Sequence, residues 1–317
     1  MTARILVGDS LGSESAEVLT TALELGRATG SSVHVVHAFD PPVAMGPPEE
    51  AWAFQRELEE RLQQELLESL GKQAREVGLS SVPGSHADLR LGRPHRVLED
   101  AAKEEHPGLI VVGSAVGGGP MGRFGSTVDR LLRQVSAPVW VVRGGSPFPP
   151  KRVLFATDLS ALSAGSVRSG AALLRAAGIV PEWTEVLFVL DGLEAYSLGQ
   201  FSGEQMERFA VEQLEGFVAE HGAALPSGTT RKVLTGSPRE ALLQHIGEKH
   251  PDLVVLGTHG RSGFDRLLLG SVASAVVREV ACNALVVPLE AARAVLDGGL
   301  RSADWGDVSD ATRPIPI

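Results

Sequence analysis

Short runs of aliphatic and β-branched residues alternate along the chain with longer stretches in which apolar residues recur every three or four positions. Runs such as LIVVG and LVVLG are apolar at every position, which is typical of strands buried on both faces of a parallel sheet. The longer stretches are typical of amphipathic helices that cover such a sheet. The pattern therefore predicts an α/β fold with ten strands: Ile5–Gly8, Val33–Phe39, Ala87–Leu91, Leu109–Gly113, Pro138–Val142, Val153–Ala156, Thr184–Leu190, Arg231–Leu234, Leu253–Gly257 and Ala284–Val287.

Two of the predicted helices carry a clear apolar stripe, one in each half of the chain. Each stripe has two interpretations: a face packed on the chain's own sheet, or a coiled-coil interface with another helix. We favour the first, because each stretch lies between two predicted strands. The stripe residues are Phe54, Leu58, Leu62, Leu66, Leu70 and Ala74 in the first half, and Met206, Phe209, Leu214, Phe217 and Val218 in the second.

The two halves of the chain repeat one another. The segment that begins LRLGRPHRVLED at Leu89 resembles the segment that begins KVLTGSPREALL at Lys232. RILVGD at Arg4–Asp9 likewise resembles RVLFATD at Arg152–Asp158. Three pairs share one separation of 144 residues, which indicates an internal duplication: Gly92 with Gly236, Pro94 with Pro238, and Gly113 with Gly257.

The duplication predicts two domains, at residues 1–143 and 151–288, each a doubly wound, open parallel sheet of five strands. Residues 144–150 (GGSPFPP) are rich in Gly, Ser and Pro, which disfavour both helix and interior strand, so they predict a short, stiff linker. We expect residues 289–317 to form a flexible C-terminal tail. Their last part, DWGDVSDATRPIPI, has no apolar periodicity.

Composition excludes several classes of partner. The formal net charge is −10 and the pI is about 5.4, so neither duplex nucleic acid nor an anionic membrane surface is expected as the main partner. No window approaches the length of apolar run that a transmembrane helix requires. The single cysteine, Cys282, excludes internal disulfides and favours a cytoplasmic location, and we expect it to be a small buried hydrophobe. The nine histidines show no metal-type spacing, and His34 and His37 should face opposite sides of one strand.

A candidate phosphate site follows the fourth strand of the second domain. The sequence there is LVVLGTHGRSGFDRLLLGSVASAVV, in which Gly257 is followed by Gly260 and then by Gly270 and Ser271. The glycines allow the backbone to turn sharply and to approach a ligand closely. The helix that begins after Gly270 presents backbone amides with partial positive charge, and Arg261 could add a charge-assisted contact. Together these features predict an anion site suited to phosphates.

The spacing G-x2-G-x9-G-[ST] after a fourth strand resembles the nucleotide-binding signature of the universal stress protein family. The resemblance covers about 1–143 and 151–288. It implies the sheet order 3-2-1-4-5, the binding of ATP, with or without Mg²⁺, and packing of the two domains through their fifth strands as an internal pseudo-dimer. Further homodimerisation is open, and the protein partner is not indicated. The residues that the resemblance assigns to the nucleotide are Ala156, Thr157, Asp158, Val189, Leu256, Gly257, His259, Gly260, Arg261, Gly270, Ser271 and Val272.

The first domain departs from this signature. It reads LIVVGSAVGGGPMGRFGSTVDRLL, so Val116 stands where the second domain has Gly260, and the loop is one residue shorter. A β-branched residue resists positive φ and could deny a phosphate the close approach of the backbone. A second nucleotide site is therefore left open, with a degenerate, bracing domain as the alternative. Its candidate residues are Asp9, Ala38, Gly113, Gly125, Ser126 and Thr127.

The sequence also suggests four alternatives to an ATP-binding regulator. The segment GDSLG at Gly8–Gly12 resembles the GDSL esterases, but the chain has no D-x-x-H motif to supply their base. The segment GGGPMG at Gly117–Gly122 fits a dinucleotide fingerprint, although Pro120 spoils the helix start that it needs. An adenine-nucleotide hydrolase or adenylating enzyme on the same fold, and a ligand-free scaffold, stay open as alternatives. We expect a protein that is not an enzyme, with weak ATP hydrolysis still possible.

Overall fold

The computed structural model describes residues 4–41, 48–114, 126–191, 203–258 and 269–297, without the side chains of residues 48–55 and 126. The ten strands are β1 (Arg4–Asp9), β2 (Ser32–Phe39), β3 (His86–Leu91), β4 (Leu109–Gly113), β5 (Val139–Val142), β6 (Arg152–Thr157), β7 (Trp183–Asp191), β8 (Thr230–Gly236), β9 (Leu253–Gly257) and β10 (Asn283–Val287). The α-helices are α1 (Ser15–Thr29), α2 (Pro48–Glu76), α3 (Pro94–Glu105), α4 (Ser126–Gln134), α5 (Ala161–Ala176), α6 (Gly203–His221), α7 (Pro238–Lys249), α8 (Ser271–Glu279) and α9 (Leu289–Leu296). A short 3-10 helix spans Leu79–Ser81.

The ten strands of the described residues form one sheet, in the order β3-β2-β1-β4-β5-β10-β9-β6-β7-β8. Each half of this sheet has the order 3-2-1-4-5, which confirms the fold class expected from the sequence. Neighbouring strands are parallel except β5 and β10, which pair antiparallel with Leu285 opposite Trp140. The fifth strands therefore join the two domains into one continuous sheet, as an internal pseudo-dimer.

The junction between the domains is buried and hydrogen-bonded. Trp140 and Leu285 are fully buried. Asn283, the chain's one asparagine, is 1% exposed, and its side-chain oxygen accepts the backbone N–H of Arg143 across the junction at 2.9 Å. The guanidinium of Arg143 donates to the carbonyl of Val277 in α8. These contacts stabilise the pairing of β5 with β10, through which the sheet continues from one domain to the other.

Apolar side chains cover both faces of the sheet, as the fully apolar strands predict. Adjacent strand residues such as Leu6 and Val7 are both fully buried and belong to opposite cores. One core contains residues of α1, α2, α5, α6 and α9, and the other contains residues of α3, α4, α7 and α8. The sheet is thus the middle layer of three, and ligands of such open α/β sheets bind at the carboxyl ends of the parallel strands.

The two apolar stripes pack on the sheet only in part. In α6 the residues Met206, Leu214, Phe217 and Val218 are buried as expected, but Phe209 is 54% exposed. At 3.6 residues per turn, Phe209 lies roughly 110° around the helix from the mean direction of the other four and of Ala210. In α2 only Leu70 of the described stripe is fully buried, while Leu58, Leu62, Leu66 and Ala74 are half-buried.

The start of the C-terminal segment is a packed helix, so the expectation of a flexible tail from residue 289 is wrong for its first residues. Helix α9 spans Leu289–Leu296 and buries Ala292 and Val295. It lies against α5 at Gly165, where an added Cβ atom would overlap the backbone of Ala292. The prediction rested on the last part of the segment, which lacks apolar periodicity, and the short run of apolar residues before it was not treated separately. Residues 298–317 lie outside the described part of the chain.

Candidate functional site

A cavity of about 440 Å³ opens at the carboxyl ends of β6 and β9 in the second domain. This is the point at which the strand order reverses, since β6 pairs with β7 on one side and with β9 on the other. Ligands of open α/β sheets bind at such a crevice. Nine of the twelve residues predicted from the sequence line the cavity: Ala156, Thr157, Asp158, Val189, Leu256, Gly257, Gly270, Ser271 and Val272.

The other three predicted residues, His259, Gly260 and Arg261, lie outside the described residues, which stop at Thr258 and resume at Leu269. The ends of this loop are close together, because the backbone N–H of Gly270 donates to the carbonyl of Thr258 at 2.9 Å. Thr258 and Gly270, which flank the segment, therefore lie side by side at the cavity.

A network of hydroxyl groups shapes the turn after β6. Thr157 Oγ1 lies 2.8 Å from Ser163 Oγ and accepts the backbone N–H of Leu159 at 3.0 Å. Leu159 has a φ of 64°, in the left-handed region, so this side-chain bond stabilises a backbone conformation that leucine rarely adopts. Asp158 Oδ1 accepts both the backbone N–H and the hydroxyl of Ser160, which caps α5. The turn thereby fixes Thr157 and Asp158 at the edge of the cavity.

The opposite wall of the cavity is the amino end of helix α8. Gly270 is the N-cap residue and has no side chain to occupy the first backbone amides of the helix. Amides at a helix start lack partners within the helix and carry partial positive charge. A Cβ atom on Gly270 would lie 2.9 Å from the carbonyl oxygen of Thr258, so this approach of backbone to backbone requires glycine. The geometry is that of an anion site.

The cavity has an apolar end as well as a polar one. Leu187, Leu242 and Leu256 are nearly fully buried in its wall, and Val189 is partly buried beside them. An apolar wall next to an amide-rich end fits a ligand that joins a flat, weakly polar ring to an anionic group.

Sequence reasoning missed part of the lining. Asp191 ends β7, and Ser237 and Arg239 stand at the start of α7. The Arg239 guanidinium lies 2.5 Å from Glu279 Oε1, and its side chain is 54% exposed. The G-x-P motif at Gly236–Pro238 could have pointed to Ser237 and Arg239, since it occurs in both copies and lies at the start of a helix.

The first domain has a smaller cavity, of about 250 Å³, at the corresponding ends of β1 and β4. It is lined by four of the six residues proposed for a second site, namely Asp9, Ala38, Gly113 and Thr127. Gly125 and the side chain of Ser126 lie outside the described part of the structure. A nucleotide site in this domain stays a prediction.

The structure corrects one correspondence between the copies. Leu11 and Leu159 both have positive φ, 53° and 64°, and each donates its backbone N–H to the side chain of the residue that ends the first strand. Asp9 is therefore the counterpart of Thr157, not of Asp158. An alignment on the shared aspartate places Asp9 opposite Asp158, because it takes no account of this turn. Asp9 is 5% exposed, and its Oδ2 atom has no hydrogen-bond partner among the described residues.

A second carboxylate enters the cavity of the first domain from α1. Glu14 follows Leu11 by three residues, as Leu162 follows Leu159, so a charged residue replaces an apolar one. Its carboxylate accepts the hydroxyl of Ser114 at 3.1 Å. An added Cβ atom on Gly113 would lie 3.2 Å from Glu14 Oε2, which places the charge beside the strand end where the second domain has Gly257. The two cavities thus differ in size and in charge.

The structure describes one of the two competing motifs of the first domain, GDSLG at Gly8–Gly12. The Ser10 hydroxyl accepts the N–H of Gly12 at 3.3 Å, in a local turn. His37 is 8% exposed and its Nδ1 lies 2.9 Å from the carbonyl oxygen of Asp9, as expected for a histidine packed at a strand end. Cys282 is 7% exposed and has a free thiol, which fits the small buried hydrophobe expected. Residues 117–122 lie outside the described residues.

The fold and the repeated strand-end cavities define a class of protein: a tandem pair of doubly wound α/β domains, each with a cavity at the ends of its strands. The profile of the universal stress protein family matches residues 1–143 and 149–288. A universal stress protein of Mycolicibacterium smegmatis is 27% identical over 294 residues, which cover 89% of this chain and 96% of that protein. One of Mycobacterium tuberculosis is 30% identical over 274 residues, 82% of this chain and 86% of its own. The chain belongs to the universal stress protein family.

Solved structures show the same tandem architecture. A functionally unknown protein of Pseudomonas aeruginosa has a TM-score of 0.63 at 17% identity, over 93% of this chain and 96% of its own. A universal stress protein of Archaeoglobus fulgidus has a TM-score of 0.60 at 17% identity, over 90% and 98%. At these identities the likeness shows the fold alone. Among the helices that the structure describes, none is both long and apolar enough to cross a bilayer.

Proposed function

We propose that the second domain binds ATP and that the protein acts as a nucleotide-dependent regulator in the cytoplasm. The observation that carries the proposal is the cavity at the ends of β6 and β9, which joins an apolar wall to the uncapped start of α8. Its volume of about 440 Å³ lies in the range of small-molecule sites, about 300–1,000 Å³. In the complex that we propose, the adenine lies against Val189 and Leu256, and the phosphates accept hydrogen bonds from the backbone amides of Ser271 and Val272.

Nucleotide binding without efficient chemistry is the form of this function that we favour. The side chains of Thr157 and Asp158 at the edge of the cavity stabilise the turn after β6, since Thr157 is hydrogen-bonded to Ser163 and Asp158 to Ser160. Asp158 could take part in holding Mg²⁺ together with the phosphates, because carboxylate and phosphate oxygens are the ligands that Mg²⁺ prefers. A hydrolase would also need a base that orients an attacking water.

We expect one ATP for each chain, in the second domain. Each cavity is lined by two carboxylates, Asp158 and Asp191 in the second domain and Asp9 and Glu14 in the first, but among the described residues the smaller cavity has no arginine to match Arg239 of the larger one. Like charges repel more strongly where water is excluded, so a triphosphate is disfavoured there.

Calorimetric titration of nucleotide-free protein with Mg-ATP tests the proposal. The informative variant is Gly270→Ala, whose methyl group would push the start of α8 away from the carbonyl of Thr258 and so misplace the phosphate-binding amides. We expect one site in the wild type and a large loss of affinity in this variant. Gly260→Val tests the same loop at a residue chosen from the sequence.

The control is Gly216→Ala in α6, where an added Cβ atom meets nothing within 4 Å. It should bind ATP like the wild type. Absence of heat with ATP, ADP and AMP would refute nucleotide binding and favour a scaffold. Steady release of ADP or AMP, abolished by Gly270→Ala, would instead favour the enzyme. Two sites, one of them retained in Gly270→Ala, would place a nucleotide in the first domain too.

A further inference from the structure

Three side chains with metal-binding atoms meet at the outer end of the sheet, away from both strand-end cavities. His34 lies in β2, and His86 and Asp88 lie in β3, the edge strand. His34 and His86 stand directly opposite each other in the parallel register, and Asp88 follows two residues later on the same face. The two imidazole rings stack with their centroids 4.1 Å apart. One ligand atom of each of the three side chains lies within 4.8 Å of the other two.

Helix α3 fixes the orientation of the buried ring. His34 is 1% exposed, and its Nδ1 lies 2.5 Å from Glu105 Oε1, at the end of α3. Glu105 is itself held by Arg4, whose guanidinium donates to Oε2 at 2.9 Å. A histidine that donates one ring N–H to a carboxylate and turns its other nitrogen to a metal is the usual arrangement of metal-binding histidines.

The second nitrogen of His34 faces the carboxylate of Asp88. Nε2 lies 3.0 Å from Asp88 Oδ2. With the proton on Nδ1, shared with Glu105, the lone pair of Nε2 faces a carboxylate oxygen, an arrangement that a cation between them would stabilise.

We propose that His34, His86 and Asp88 form a binding site for a divalent transition-metal ion, with zinc as the best match. Two imidazoles and one carboxylate are a common zinc ligand set, and they leave a fourth position for water. His86 and half-exposed Asp88 face solvent at the sheet edge, so that position is open. Glu105 is a positioning residue, because it holds the His34 ring rather than the metal. Arg90, 3.8 Å from Asp88 Oδ2, is the one cation of β3 beside the carboxylates.

The second domain supplies an internal comparison. By strand register, Glu185, Thr230 and Lys232 occupy the positions of His34, His86 and Asp88. A lysine ammonium and a hydroxyl cannot replace an imidazole and a carboxylate as zinc ligands at neutral pH. The proposal therefore predicts one metal for each chain, in the first domain.

The test uses full-length, tag-free protein treated with a chelator and titrated with Co²⁺ and Zn²⁺ at pH 7.5. We expect one Co²⁺ for each chain, visible-region absorption without a thiolate charge-transfer band, and displacement by Zn²⁺. His86→Ala and Asp88→Asn should abolish that absorption, since both residues are direct ligands at exposed positions. Glu105→Gln should weaken zinc binding by about 10- to 100-fold and alter the Co²⁺ spectrum, as expected for the loss of an outer-shell carboxylate.

The matched control is His95→Ala, which removes a partly buried histidine that lies near Arg130. It should retain the wild-type stoichiometry and spectrum. Melting curves in chelator establish whether each variant is folded. Failure of the folded wild type to bind either ion, or undiminished binding in both His86→Ala and Asp88→Asn, would overturn the proposal. A cobalt–thiolate band would do the same, since it would place the metal at Cys282.

Discussion

The packing of α9 on α5 makes a prediction about one glycine. Gly165 lies in the first half of α5, and a methyl group at this position would overlap the carbonyl group of Ala292 in α9. The atoms in the way are backbone atoms, so no side-chain rotation can relieve the overlap. In Gly165→Ala, either α9 shifts with strain or it detaches from the domain.

Both responses lower stability by a similar amount. Overpacking of a close contact costs about 1–3 kcal/mol. Detachment exposes Ala292 and Val295, which are 1% and 2% exposed in the native fold. Burial of a valine side chain contributes about 1.5–3 kcal/mol, and a methyl group about 0.8 kcal/mol. The higher helix propensity of alanine offsets about 1 kcal/mol of either loss. We therefore expect Gly165→Ala to destabilise the second domain by about 1–2 kcal/mol.

Urea unfolding followed by far-ultraviolet circular dichroism measures this change. The matched variant is Gly216→Ala, a helical glycine whose added Cβ atom meets nothing within 4 Å. It gains the same propensity without the overlap, so it should be more stable than the wild type by about 0.5–1 kcal/mol. If Gly165→Ala were as stable as Gly216→Ala, the close approach of α5 and α9 would not exist in solution.

Two further predictions concern the junction between the domains. Burial raises the pKa of the Cys282 thiol from 9.0 to about 11, so its contribution to stability is complete below pH 9 and is lost as the pH rises towards 11. The free energy of unfolding of the wild type should therefore fall relative to that of Cys282→Ala across this window, by at most about 3 kcal/mol; parallel pH profiles would contradict the assignment. Asn283→Ala removes the acceptor of the Arg143 N–H and should cost about 1–3 kcal/mol in urea unfolding, whereas Ser146→Ala, which removes an exposed hydrogen bond across the same junction, should cost less than 1 kcal/mol. Equal costs for these two variants would show that burial of the bond is unimportant.

The fold was predictable because the strands are apolar at every position and the sequence repeats. A run such as LVVLG has few alternatives to a buried parallel strand once helical patterns flank it on both sides. The predicted strands differ from the observed ones only at their ends, as at β8, which spans Thr230–Gly236. The local sequence pattern gave wrong predictions where burial depends on contacts between elements that are distant in the sequence. Phe209 falls outside the buried face of α6, and α9 is stable because it docks on Gly165.

The candidate site was predictable to the extent that it consists of backbone. Glycine spacing and a helix start are visible in a sequence, and they located Gly257, Gly270 and Ser271 at the observed cavity. Side chains that reach the cavity from other elements were not visible in the same way. Glu14 was missed because its position depends on how the turn after β1 is counted, and Arg239 because it arrives from the start of α7.

The duplicated sheet also shows how two equivalent positions acquire different chemistry. His34 in β2 pairs with Glu105 of α3, while its counterpart Glu185 in β7 pairs with His245 of α7 at 2.5 Å. Each domain thus holds a buried histidine–carboxylate pair between its second strand and the helix that covers it, with the two partners exchanged between strand and helix. The exchange matters because a histidine on β2 lies on the same face of the sheet as side chains of the edge strand β3, whereas a histidine on a covering helix does not.

In the second domain the histidine belongs to α7, and the edge strand beside Glu185 carries Thr230 and Lys232. In the first domain the histidine belongs to the strand, and the edge strand carries His86 and Asp88. A search for metal-binding spacings in the sequence could not reveal the proposed ligands. His34 and His86 stand 52 residues apart in the chain and come together only through the register of β2 and β3. The same exchange does not involve the cavity of either domain, because these cavities lie at the strand ends. The proposed metal site at the sheet edge and the proposed nucleotide site at the strand ends are therefore separable, and substitutions at His86 should leave ATP binding in the second domain unchanged.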